Sequence, residues 1–369
     1  MSESLAVGGA LARRDTAEPR AAEPRAGDLG NLAVLDTRRK LQLALAVIWL
    51  LDGILQYQPV MFTKAFPQML TAASAGNPAV VASGVNWSAN LVDHHLVLLN
   101  AIFATTQLAL GLGISWRPTV KLALGASVPW ALAVWWLGEG LGGVLTGTAS
   151  PINGAPGAVI LYALLAVLLW PPDRNPPAQN PPAQNPPAPF VADRNPAAPF
   201  VADRNPAASF VAARAVGRPV ARASWLVLWG SLAFFALLPA SRAPHAISGM
   251  ISDMASGEPG WLAWIDHHAA SALAGHGLPA SIALAVALAL VAAGIYLPSR
   301  LTRPVIVLAI LLATLIWLAE GLGGILTGAG TDPASGPLLA LLALAFWPAA
   351  STPPPPATPA TPATPASGA

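Results

Sequence analysis

The chain has 369 residues, of which 54% are hydrophobic and 10% charged, with a formal net charge of +2 and a mean hydropathy of +0.57. Soluble globular domains carry about 25% charged residues, so this composition excludes an ordinary water-soluble fold. The chain has no cysteine, which excludes disulfides, thiolate catalysis and Cys-ligated metal. The small positive balance does not mark nucleic-acid binding. The basic residues are mostly Arg and cluster at the ends of apolar runs, as the positive-inside rule describes for membrane proteins. The Ala- and Pro-rich composition, with Arg well above Lys, fits a high-GC bacterial source.

Residues 1–37 are polar, carry two Ala-Glu-Pro-Arg repeats and offer no apolar core. They read as a disordered cytoplasmic tail. Thr37-Arg38-Arg39-Lys40-Leu41 is similar to a twin-arginine export signal. Asp52 and Gln56 inside the following helix, with no small-residue cleavage site after it, favour a retained, positively anchored span.

A span needs about 20 mostly apolar residues. The hydropathy predicts helices at 40–58, 92–115, 119–138 and 156–171, then at 224–240, 279–298, 303–320 and 336–348. The fourth and eighth are short, and Gly-rich segments are expected to re-enter the bilayer before them. Segments 59–91 and 241–265 read as outward loops. The expected organisation is a four-helix module over 38–171, a Pro-rich low-complexity linker over 172–222, a second module over 223–348 and a disordered tail over 349–369. Within the linker, Phe190, Phe200 and Phe210 recur in Pro/Ala-rich repeats. They read either as docking points for a partner or as parts of a passive tether.

The two modules echo each other. Trp135 to Gly147 returns as Trp317 to Gly328, and Asp93-His94-His95 returns as Asp266-His267-His268. This predicts an all-α integral membrane protein of eight spans, built as two tandem four-helix bundles. An even number of spans per bundle gives both the same orientation, related by a pseudo-twofold axis along the membrane normal. The basic clusters place both termini in the cytoplasm of a bacterial plasma membrane.

The charged residues present in both copies are the candidates for chemistry. Glu139 and Glu320 each follow an apolar helix and open a glycine run. Each reads either as a cap on a re-entrant turn or as a ligand- or proton-handling group. Gly143 with Gly147, and Gly324 with Gly328, have the spacing of small-residue helix packing. Asp93, His94, His95, Asp266, His267 and His268 are expected to open the second helix of each half. There the acid complements the helix dipole. The imidazoles suit a divalent transition metal or proton transfer, while their interfacial position argues against haem. Asp52 stands inside the first span with Gln56 one turn later, a functional candidate by default. Matching Trp49 to Trp229 and Pro59 to Pro239 puts Leu232 at its place in the second half. His245 and His276 are extra to the second half, and Gly275 to Pro279 reads as an insertion there. No phosphate-binding loop, dinucleotide fingerprint, nucleophile elbow or His-Glu-x-x-His motif occurs. Nucleotide-driven work and catalysis by this chain alone are therefore not expected.

The run Trp49-Leu50-Leu51-Asp52-Gly53-Ile54-Leu55-Gln56-Tyr57-Gln58-Pro59, then Phe62, Phe66 and Pro67, then Gln107-Leu108-Ala109-Leu110-Gly111-Leu112-Gly113-Ile114, resembles the DoxX-like four-helix membrane modules. It also resembles duplicated membrane proteins of high-GC bacteria. The resemblance covers 40–171 and, more weakly, 224–348. It implies a small four-helix bundle and, for some members, association with quinone-linked oxidoreductases. The Asp-His-His and Glu-Gly-Leu-Gly-Gly elements lie outside it. The expected function is an accessory subunit of an extracytoplasmic redox or metal-handling system, with an outward-facing His/carboxylate site. Its partners would be the lipid bilayer and other membrane or extracytoplasmic subunits. The alternatives are an ion-coupled secondary transporter using Asp52, Glu139 and Glu320, and a membrane scaffold.

Overall fold

A computed structural model describes residues 26–171, 210–328 and 330–348. Among these the regular structure is entirely helical. The first part contains α1 (Ala26–Gln56), α2 (Ala65–Ala72), α3 (Ala79–His94), α4 (Leu96–Ser115), α5 (Val120–Leu137) and α6 (Ala158–Leu168). The second contains α7 (Val211–Val216), α8 (Arg218–Ala236), α9 (Pro239–Arg242), α10 (Ala246–Met254), α11 (Gly260–Leu273), α12 (Gly277–Gly294), α13 (Ser299–Ala319) and α14 (Ser335–Ala345).

Five of these helices, α4, α5, α8, α12 and α13, are long and apolar enough to cross a membrane, and α6 and α14 are shorter apolar helices. Their packing supports a lipid environment. The α4 window has a mean hydropathy of 1.7, yet only 28% of it is buried inside the protein. Val97, Leu98 and Leu112 on α4 and Leu311 and Leu315 on α13 are at least half exposed. A helix that is apolar on its outward face as well as its inward one needs an apolar solvent.

The Arg-rich turn of α1 ties three other elements together. Arg39 donates to the C-terminal carbonyls of Ile114, at 2.9 Å, and Ser115, where the macrodipole favours a cation. Gln42 donates to Leu169 O at 2.9 Å beyond the end of α6, and Arg38 donates to Val211 O at 3.1 Å. Further along, α1 and α4 approach closely. A Cβ added at Gly53 would lie 2.6 Å from Leu108 Cγ, and one at Gly111 would lie 2.7 Å from Leu50 Cγ. Two polar side chains link the same pair of helices. Gln56 Nε2 donates to Asn100 Oδ1 at 2.5 Å, and Asn100 Nδ2 donates back to Gln56 O at 3.0 Å.

Several sequence expectations change. The segments read as outward loops, 59–91 and 241–265, are largely helical, because α2, most of α3, the end of α9, α10 and the start of α11 occupy them. The region read as tail is helical from Ala26. The linker was expected to run to residue 222, but α7 and the start of α8 lie within that range. Phe210 is buried there, stacked on Phe346 at 5.1 Å, so it is a core residue. Phe190, Phe200 and the rest of the Pro-rich segment to 209 lie outside the described residues, as do 1–25 and 349–369.

The two parts correspond in register. Helices open at Ala65 and Ala246, at Ala79 and Gly260, and at Leu96 and Gly277, with one constant interval between the members of each pair. One core runs through both parts, joining Trp49 and Tyr162 to Trp225, Trp229, Leu339 and Phe346. The loops that precede α6 and α14 cross over. Ile152 of the first part packs with Ile247, Ile251 and Ala270 of the second. In return Thr331 and Asp332 of the second part line a cavity in the first, and Gln58 Nε2 donates to Gly330 O at 3.4 Å.

Candidate functional site

The glycine runs set the site. Gly140, Leu141, Gly142 and Gly143 have φ of 56°, 59°, 60° and 68°, and Gly321, Leu322, Gly323 and Gly324 have 60°, 53°, 69° and 66°. Each run is therefore a left-handed turn, a conformation that disfavours L side chains by roughly 1–2 kcal/mol per residue and that glycine adopts freely. Close approach fixes the central glycine as well. A Cβ at Gly142 would lie 2.0 Å from Pro156 O, and one at Gly323 would lie 2.6 Å from the Pro333 carbonyl carbon. The Gly143/Gly147 and Gly324/Gly328 pairs consequently do not form helix-packing stripes, since both sit in or just after these turns.

Each turn folds its glutamate back onto the N-terminus of the next short helix. Glu139 Oε1 accepts from Val159 N at 3.2 Å at the start of α6. Glu320 Oε2 accepts from Ser335 N at 3.2 Å at the start of α14, and its Oε1 accepts from Ser335 Oγ at 2.6 Å. Both glutamates thus satisfy free helix N–H groups from a distance. Burial pushes Glu139 up to about 8, reinforced by the charge of Asp332 and opposed by the Val159 and Ala158 amides. Burial likewise pushes Glu320 up to about 8, opposed first by its hydrogen bond from Ser335. The two differ in completeness, because Glu139 Oε2 is buried without a partner.

A cavity of about 480 Å³ lies beside Glu139. Its polar lining includes Asp52, Gln107, Glu139 and Asp332. Asp52 is 2% exposed, its Oδ2 accepts from the Tyr162 hydroxyl at 2.5 Å, and its Oδ1 has no partner. The walls are aromatic. Phe66 meets Phe103 edge-on at 6.4 Å, Phe103 meets Trp130 at 5.8 Å, and Trp49 lines the cavity while packed 4.1 Å from Tyr162. A second cavity of about 500 Å³ runs between the parts and holds Glu139, Glu320 and Asp332 together. Asp332 is held by its own turn, with Ala334 N donating to Oδ1 at 2.7 Å, and burial raises its carboxyl above the usual range.

The histidine motifs behave differently from expectation. Asp93 and His94 close α3, and His95 occupies the break before α4. Asp266, His267 and His268 lie in the interior of α11. The two triplets therefore do not correspond. The constant interval pairs His95 with His276, each the residue before its following helix, and it requires no insertion at Gly275 to Pro279. Asp93 accepts from Lys64 Nζ at 2.6 Å at the surface. His94 Nδ1 bonds Asn90 O at 2.8 Å, and His268 Nδ1 bonds Trp264 O at 2.7 Å, each within its own helix. Asp266 is buried beside Glu258, and Glu258 Oε1, Glu258 Oε2 and Asp266 Oδ2 have no hydrogen-bond donor. Burial, with help from Asp266, pushes Glu258 up to about 7. Among the described residues no three His, Asp or Glu side chains converge as a metal site. Asp93, His94 and His95 are thus not brought together with Asp266, His267 and His268 as ligands, nor with Glu139.

Asp52 and Glu139 are brought together, while Glu320 reaches the neighbouring cavity. Sequence reasoning missed Tyr162, Gln107, Glu258 and Asp332. Asp332 did carry a signal, as an acid in an Asp-Pro turn directly before a short apolar helix. No family model, curated protein or solved structure matches the chain.

Proposed function

We propose that this is an eight-span bacterial plasma-membrane protein with both termini in the cytoplasm, built as two four-helix bundles in the same orientation. The three spans beyond the five long apolar helices would be α1, α6 and α14. In this reading the protein is a proton-coupled secondary transporter. The observation that carries it is the gathering of Asp52, Glu139 and Asp332 around one cavity, with Asp52 almost fully buried. Carboxyls held inside an apolar bundle are costly unless they bind protons or cations in turn, and they mark ion and substrate paths. Glu139, held near 8, can exchange a proton for a cargo within the physiological range.

This ordering places the transporter ahead of an accessory role in a redox or metal system. The accessory role drew on converging histidines and on the DoxX-like resemblance, and the His94 and His268 rings bond their own helices instead. The test is uptake into proteoliposomes under an imposed pH gradient, using a panel of labelled amines, sugars, amino acids and organic acids. At least one solute should accumulate with the wild-type protein and fail to accumulate with Asp52→Asn. Failure of every class would overturn the transporter reading in favour of the accessory one.

A further inference from the structure

We infer that the first-part cavity takes an amphiphilic organic cation: an aromatic or aliphatic body carrying a protonated amine. The inference rests on the reading of this cavity as the substrate site and names the class of substrate. Three buried oxygens on residues that line the cavity have no donor, Asp52 Oδ1, Gln107 Oε1 and Glu139 Oε2. One buried donor, Trp49 Nε1, is likewise unpaired there. Acceptors therefore outnumber donors, and buried acceptors left unmade are expensive. The group that satisfies them is a compact donor with several N–H bonds, and the surrounding carboxyls require it to be positive.

The rest of the lining matches the rest of such a molecule. The aromatic walls formed by Trp49, Phe66, Phe103 and Trp130 offer ring faces and edges to an apolar body, and ring faces attract a desolvated cation. A volume of about 480 Å³ lies within the range of small-molecule sites, roughly 300–1,000 Å³. An anion would meet Asp52, Glu139 and Asp332 with no basic side chain in the lining. A neutral molecule would leave the carboxylates of this lining uncompensated once they release their protons.

The test compares three probes with one body: naphthylmethylamine, naphthylmethanol and naphthoate, titrated calorimetrically into the full chain in detergent, with detergent alone as the blank. The amine should bind at one site, the alcohol at least about tenfold more weakly, as expected for loss of one charge-assisted hydrogen bond, and the carboxylate not at all. Asp52→Asn should bring the amine's affinity down to that of the alcohol. Gln107→Leu, which copies the Leu288 found at the corresponding second-part position and adds no charge, should weaken the amine severalfold in a protein that still folds. Equal binding of the three probes, tighter binding of the carboxylate, or amine affinity unchanged in both variants would overturn the inference. Amine binding in the expected pattern, without pH-driven uptake of any solute, would retain the cation site and reject coupled transport. Asp52-dependent uptake of another solute, with no amine binding, would do the reverse.

Discussion

Where α1 buries Asp52 against the Tyr162 hydroxyl, α8 buries Leu232 and α14 buries Leu339. Where α4 presents Gln107 to the cavity, α12 buries Leu288. The loops that cross between the parts follow the same division. The second part sends acidic Asp332 into the polar first part, and the first part sends apolar Ile152 into the apolar second. One backbone plan, with the same left-handed turn and the same glutamate on the next helix, thus serves two interiors. The contrast teaches that the Glu-Gly-Leu-Gly-Gly element is first a structural device. Glu320 performs its capping role with both oxygens engaged, whereas Glu139 performs it with one oxygen to spare. In the proposed function, ligand chemistry belongs to the part that adds Asp52 and Gln107.

Exchanging the interiors would break this comparison most sharply. Leu232→Asp places a carboxyl in the core of Trp225, Trp229 and Leu339 with no cation near it in that core, and it should lower stability by about 3–5 kcal/mol, read as a large fall in Tm in detergent. Asp52→Leu should cost less, about 1–3 kcal/mol, because it strands only the Tyr162 hydroxyl. The double change Asp52→Leu with Tyr162→Leu, which copies the second part, should recover much of that loss while leaving amine binding abolished. A double variant no more stable than the single would mean that the polar pair contributes to the fold as well as to the site.

Next in size come the turns, where the two parts should respond alike. Gly142→Ala and Gly323→Ala each drive a methyl group into backbone at positive φ and should each cost about 3 kcal/mol. A large loss at one position and none at the other, in thermal unfolding of the two variants, would show that the turns are not equivalent supports.

A further test is the pH dependence at Glu320. Its carboxyl is held near 8 in the folded protein against an ordinary value of 4.5. Below about 4.5 both folded and unfolded chains carry the proton, so the group contributes no slope. Between about 4.5 and 8 the unfolded chain releases the proton and the folded chain keeps it, so stability falls as pH rises, levelling off above 8. Glu320→Gln should flatten that part of the Tm profile. A profile of unchanged slope would assign the dependence to Glu139, Asp332 or the Glu258–Asp266 pair.

Much of this architecture is legible in linear order. Hydropathy located the long apolar helices, because a chain this poor in charge must put whole helical surfaces against lipid. The Trp-rich, Glu-Gly-Leu-Gly-Gly echo located both left-handed turns, because a run of such backbone needs glycine at most of its positions, with Leu141 and Leu322 the exceptions. Asp52 stood out as an acid within an apolar run, and its absence from the second half was visible as Leu232. The Asp-His-His echo misled, since three matching letters carry no register. One copy ends a helix and the other lies inside one. Tertiary structure alone decided that Asp52, Glu139, Tyr162 and Asp332, which are far apart along the chain, meet at one place. Local propensity fixes helices and turns over a few residues. The meeting of α1, α5, α6 and a loop from the opposite part depends on which helices can pack closely, and therefore on Gly53 against Leu108, Gly111 against Leu50, and the exchange of loops between the two parts.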